Sequence, residues 1–152
     1  MRIAVAADHA GFVLKEKLRR ALEAEGHQLT DFGTDSEAPC DYPDFAFAAA
    51  RAVAGGACER GILVCSTGIG MAIAANKVDG VRAAPAESED EVRLTREHND
   101  ANVLTLGARY VDEGLALALA HVFLSVPFEG GRHAGRLEKI AAIERGESPA
   151  AA

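Results

Sequence analysis

The sequence predicts an α/β fold: a five-stranded parallel sheet with helices on both faces. Three observations point there. Short apolar runs alternate with segments of helical periodicity from end to end, the order that crossover connections generate. The run Ile62-Leu63-Val64 is apolar without a break, as a strand covered on both faces should be. The 152 residues show no internal repeat and no second domain, so one core serves the chain.

Each element has its own signal. Residues 3–7, Ile-Ala-Val-Ala-Ala, read as a buried first strand. Residues 12–25 read as a helix with Leu14, Leu18 and Leu22 on one face, stopped by Gly26. A short second strand covers 28–32, and a loop rich in turn formers covers 33–42. Pro43 opens an alanine-rich helix that Gly55-Gly56 breaks. The third strand is 61–65, and Gly68-Ile69-Gly70 leads from it into a helix through Asn76. A weaker strand occupies 81–84. Ser88 and Glu91 stand at capping-box spacing before a helix to about Glu97. Residues 102–106 make the fifth strand, and two helices follow near 112–124 and 132–145. One domain spans 1–146, and the small, polar tail 147–152 is expected to be flexible.

Composition excludes several functions. Asp and Glu outnumber Lys and Arg by 23 to 16, giving a net charge of −7, with no Trp and 5% aromatics. A general nucleic-acid binder needs the opposite charge and more stacking rings. The 49% apolar content argues against disorder. No apolar run reaches the roughly 20 residues of a membrane span. The start, Met1 to Val5, runs into Asp8 and His9 too soon for a signal peptide. Cys40, Cys58 and Cys65 are odd in number and scattered, which fits neither a metal knuckle nor a disulfide framework. The expectation is a reduced, cytoplasmic protein with no membrane, nucleic acid, metal or cofactor.

In parallel sheets ligands bind beyond the carboxyl ends of the strands. Asp8-His9-Ala10-Gly11 puts a carboxylate and an imidazole at such an end. They suit hydroxyl positioning, proton transfer or anion binding; equally, Asp8 caps the next helix. The loop Cys65-Ser66-Thr67-Gly68-Ile69-Gly70 lets backbone approach a ligand and aims free N–H groups at it. It is not a Walker loop, since no Gly-Lys-Ser/Thr follows, and it is a poor dinucleotide fingerprint, with Ile73 where a third small residue belongs. Cys65 directly precedes those N–H groups, a setting that favours a thiolate. The alternative is a small buried hydrophobe, which is also the reading for Cys40 and Cys58.

His98-Asn99-Asp100 ends the capped helix, either as part of a site or as an answer to the helix dipole. Arg132 and Arg136 share one helix face beside His133, and with Arg109 they suit a phosphate. Arginines in a first turn oppose the dipole, so a merely solvated basic face explains them less well. His27 and His121 lack polar company and read as structural or surface residues.

Taken in order, Asp8-His9-Ala10-Gly11, the 65–70 loop, Ala74-Ala75-Asn76-Lys77, residues 98–104 and Gly130-Gly131-Arg132-His133 with Arg136 resemble the ribose/galactose isomerase family, in its type B ribose-5-phosphate isomerase branch. The resemblance runs from Arg2 to about Arg145. It implies a Rossmann-like three-layer α/β/α sandwich and a homodimer with shared active sites, with tetramer formation left open. It implies a sugar-phosphate substrate and no metal. It further implies roles: Cys65 as the base that moves a proton between two carbons, His98 as the group that opens the furanose ring, and Thr67 and Asp8 as handlers of hydroxyl protons. Backbone N–H groups of Ser66, Thr67, Gly68, Ile69 and Gly70 would hold the developing oxyanion. His9, Arg109, Arg132 and Arg136 would hold the phosphate, and Asn99 would touch the sugar.

A second pattern in the family places a Glu base within the glycine-rich loop. Here that position is Met71, which accepts no proton, so Cys65 is the better candidate. Ser66 stands where Gly is frequent, and the stretch 87–91 is more acidic than usual. The expected reaction is metal-independent interconversion of ribose 5-phosphate and ribulose 5-phosphate through an enediolate. The alternatives are another sugar phosphate (allose 6-phosphate, galactose 6-phosphate or a four-carbon sugar) or a non-catalytic nucleotide-binding module.

Overall fold

A computed structural model, described over residues 1–151, contains β1 (Arg2–Ala7), α1 (Phe12–Ala24), β2 (Gln28–Asp31), α2 (Tyr42–Ala54), β3 (Arg60–Cys65), α3 (Ile69–Ala75), β4 (Ala83–Pro85), α4 (Glu89–Asn99), β5 (Val103–Gly107), α5 (Glu113–Ser125) and α6 (Arg132–Glu144). The five strands form one parallel sheet in the order β2-β1-β3-β5-β4. The Rossmann-like sandwich expected from the sequence is therefore present.

Side chains alternate between two cores, as the pleat requires. Ile3, Val5, Ile62, Val64, Leu104 and Leu106 face α1, α4 and α5, where Leu18, Leu22, Val92, Leu119 and Phe123 meet them. Ala4, Ala6, Leu63, Cys65 and Val103 face α2 and α3. Ala46, Ala49 and Ala50 of α2 are fully buried there, and their small side chains let the helix lie close to the sheet.

Two buried cations need partners, because an unpaired buried charge is costly. Lys15 of α1 is paired through Nζ with Asp31 and, at 3.1 Å, with Glu16. Arg96 of α4 donates to Asp100 Oδ1 at 2.8 Å and to the carbonyls of Ala101 and Val126.

Boundaries differ where a side chain substitutes for backbone pairing. The fourth strand begins at Ala83, not 81. Val81 N–H closes a turn on the Val78 carbonyl, and Arg82 N–H donates to the Asn102 side-chain oxygen at 2.8 Å; within β4 the Asn76 amide brackets Ala83, accepting from its N–H at 2.7 Å and donating to its carbonyl at 2.8 Å. The capping box forms as expected: Ser88 Oγ accepts from Glu91 N–H, and Glu91 accepts from Ser88 N–H. α4 continues past Glu97 and so includes His98 and Asn99. In the tail, Pro149–Ala151 form a 3-10 turn whose Pro149 carbonyl accepts from Lys139 Nζ. No helix among the described residues is long and apolar enough to cross a membrane.

Candidate active site

The sheet order reverses between β1 and β3, where an α/β sheet opens a ligand crevice. Asp8 leaves β1 there and Cys65 ends β3. Asp8 N–H donates to the Val64 carbonyl at 3.3 Å. Asp8 Oδ1 accepts from the N–H groups of Ala10 and Gly11, both at 3.0 Å. Asp8 therefore closes a turn in the loop ahead of α1 and does not cap the helix, whose N-cap is Gly11 with no side-chain cap bond; the turn fixes the carboxylate while Oδ2 takes no protein partner among the described residues. His9 Nδ1 lies 3.2 Å from both the N–H and the carbonyl of Cys40.

Cys65 is 4% exposed. Its Sγ accepts a hydrogen bond from Gly68 N–H at 3.1 Å, so the sulfur faces a backbone donor of the following loop. The loop folds this way because Gly68 takes φ +77°, and a Cβ there would stand 3.1 Å from the Leu106 carbonyl carbon. Thr67 Oγ1 accepts from Ile69 N–H at 3.3 Å. The β5 loop is tied alongside: Ala108 N–H donates to the Cys65 carbonyl and Arg109 N–H to the Ser66 carbonyl. Arg109 is exposed at this end of the sheet.

Tyr42 also belongs here, and motif reading missed it. A Cβ on Gly70 would lie 2.9 Å from the Tyr42 Cζ, so the ring rests on the catalytic-loop candidate. An aromatic residue before Pro43 gives no signal of that contact; it depends on how α2 packs on α3.

The remaining predicted residues stand elsewhere. α4 leaves the carboxyl end of β4 and returns to the amino ends of the strands, where Asn99 and Asp100 carbonyls accept from Arg82 Nε. Gly61, at the start of β3, donates to the Asn102 carbonyl in the same region. His98 and Asn99 therefore sit one helix length away from Cys65, about 16 Å for 11 residues. Arg132, His133 and Arg136, in the first turns of α6, gather around His98. The His98 and His133 rings are stacked, with centroids 4.3 Å apart and planes 10° from parallel.

His133 is 3% exposed. Its Nε2 accepts from Arg132 Nε at 3.4 Å and lies 3.5 Å from Glu129 Oε2. Burial holds its protonation below the usual imidazole range, and His98, Arg132 and Arg136 add to that. One nitrogen each from His98 and His133 and an oxygen of Glu129 lie within 4.8 Å of one another. Parallel stacked rings direct their lone pairs side by side, not at one point, so the trio suits a metal poorly.

One chain therefore holds two separate groups. Asp8, His9, Cys65, Ser66, Thr67, Gly68, Ile69, Gly70 and Arg109 meet at the carboxyl end of the sheet; His98, Asn99, Arg132 and Arg136 meet at the amino end. Neither Arg109, Arg132 nor Arg136 is engaged by a carboxylate among the described residues. His121 pairs with Glu25 on the surface.

A family model described as ribose/galactose isomerase matches residues 3–140. Ribose-5-phosphate isomerase B of Escherichia coli is 44% identical over 144 residues, covering 95% of this chain and 97% of that protein. The structure of ribose-5-phosphate isomerase B from Clostridium thermocellum aligns with TM-score 0.95 at 46% identity, over 96% of this chain and 99% of that one. Ribose-5-phosphate isomerase B from Mycoplasma genitalium, solved with bound ribulose 5-phosphate, aligns with TM-score 0.91 at 41% identity, over 95% and 96%.

Proposed function

The chain belongs to the ribose/galactose isomerase family, and from that membership we propose that it interconverts ribose 5-phosphate and ribulose 5-phosphate. It is an aldose–ketose isomerase, so the nucleotide-module alternative is set aside. Aldose–ketose exchange needs one base at two adjacent carbons and donors at the oxygen that gains charge. The observation that carries this assignment is the Cys65 sulfur at the sheet's switch point, facing the Gly68 N–H at 3.1 Å.

The steps follow from the groups available. His98 takes the proton from the anomeric hydroxyl and returns one to the ring oxygen, opening the furanose. The Cys65 thiolate removes the C2 proton, and the electron pair moves to O1 as the enediolate forms. Backbone N–H groups between Ser66 and Gly70 stabilise that oxygen; losing one such donor typically costs on the order of 10²–10³ in rate. The thiol then delivers its proton to C1, while Asp8 and Thr67 pass the hydroxyl proton from O2 to O1. His9 and Arg109 hold the phosphate, so that remote binding fixes the reacting carbons against the sulfur.

His98, Asn99, Arg132 and Arg136 come to this crevice from a second copy, because their own chain carries them at the far end of the sheet. The reading is therefore of a homodimer with shared sites. Exposed apolar residues beside the crevice, Tyr42, Ile69 and Ile73, with Ile140 and Ile143 on α6, are the surface such pairing covers. A cytoplasmic setting is part of the same reading.

The test is an isomerase assay on ribose 5-phosphate with the intact chain and Cys65→Ala. The variant is expected to lose at least about 10²–10⁴ in kcat. Full activity in Cys65→Ala removes the sulfur from the reaction. Among sugar phosphates compared by kcat/KM, ribose 5-phosphate is expected to lead.

A further inference from the structure

The stacked imidazoles at the amino end contain one ring that the mechanism above does not use. His133 is buried, so it does not reach substrate, yet its surroundings are not those of an inert core residue. Its Nδ1 is buried and has no hydrogen-bond partner among the described residues. A phenyl ring would fill the same space without desolvating that nitrogen. What the imidazole adds is an acceptor: Nε2 takes the hydrogen bond from Arg132 Nε at 3.4 Å, while the ring face lies flat on His98, 10° from parallel.

We propose that His133 is a positioning residue that sets the ring plane of His98 and, through Nε2, the direction of the Arg132 guanidinium. The proposal rests on the reading of His98 as ring opener and Arg132 as phosphate ligand. His98 sits in the last turn of α4, half-buried, where an unsupported imidazole would turn between rotamers. His133 is locked from the other side: its N–H bonds the Gly130 carbonyl, and Glu129 N–H bonds the Glu97 carbonyl, joining the two helix ends. The charged and titratable groups around His133 are His98 on α4, Glu129 in the preceding loop, and Arg132 and Arg136 on α6. Three of the four are cations or can become so. A neutral His133, accepting from Arg132, is the state these neighbours favour.

The experiment uses the full chain with His133→Asn, His133→Phe, His98→Asn and the double variant His98→Asn/His133→Asn, assayed on ribose 5-phosphate. His133→Asn removes both functions: kcat is expected to fall about tenfold and KM to rise about threefold. His133→Phe keeps a flat ring but no acceptor: kcat stays within about twofold while KM still rises. The double variant is expected to lose no more kcat than His98→Asn alone, since a residue acting through His98 has nothing left to position. A Phe variant that loses as much kcat as Asn, a further kcat loss in the double variant, or unchanged constants in His133→Asn overturns the proposal. Should His133→Asn melt below the assay temperature, His133→Phe decides alone: kcat kept with KM raised supports it, kcat lost overturns it. An inactive unmodified chain, or a fully active His98→Asn, instead overturns the functional reading beneath it.

Discussion

Gly70 bears no side chain because Tyr42 occupies the space a Cβ would need. Gly70→Ala must push the ring outward or the loop inward, and the loop carries the N–H groups that the proposed mechanism assigns to the enediolate. We expect Gly70→Ala to lower kcat about tenfold or more with a small change in melting temperature. Tyr42→Ala in the same background should recover part of the loss, which steady-state assays on the three variants will show. Away from the site, Arg19 and Lys15 hold the Glu16 carboxyl down to about 2, against an ordinary value of 4.5. A carboxyl that titrates lower in the folded state stabilises fully above the unfolded value and loses that contribution as pH falls through the folded one. Glu16→Gln should therefore be less stable than the parent at pH 7, with the gap closing between pH 4.5 and about 2 in denaturant melts. Single residues were unevenly legible in the sequence. Cys65, Asp8 and Arg109 follow from the strand-end rule, because local patterns fix where strands stop. Tyr42 on Gly70 and His133 on His98 do not, since both contacts join elements distant in the chain.

The capped helix α4 shows the same limit one level up. Its start is written locally, in Ser88 and Glu91, and the structure has that reciprocal pair. Ser88→Ala should cost about 1 kcal/mol, or about 2–4 °C in melting temperature for a chain of this size, read by circular dichroism. Its end is set by tertiary bonds: Arg82 grips the Asn99 and Asp100 carbonyls, so the helix runs on through His98. β4 begins late for a related reason, because the Arg82 N–H before it donates to the Asn102 side-chain oxygen and not to a strand carbonyl. Propensity sees neither. The parallel topology, by contrast, was legible, because unbroken apolar runs and intervening helical periods leave few other arrangements.

For the whole molecule, the separation of the two residue groups makes a quantitative demand. If each working site takes its sulfur from one chain and its imidazole from another, Cys65→Ala and His98→Asn are defects of different halves. Co-refolded in equal amounts, half the dimers are mixed, and each mixed dimer has one intact site of two. The mixture should regain about a quarter of the parent activity, from two preparations that are each nearly inactive. No recovery, with mixed dimers demonstrated by differential tagging, places all the machinery within one chain. The length of α4 carries one more consequence. On the shared-site reading proposed above, a chain diluted until copies separate would own no finished catalytic centre. Turnover per milligram would then track how often two molecules find each other, and concentration would act as a regulator.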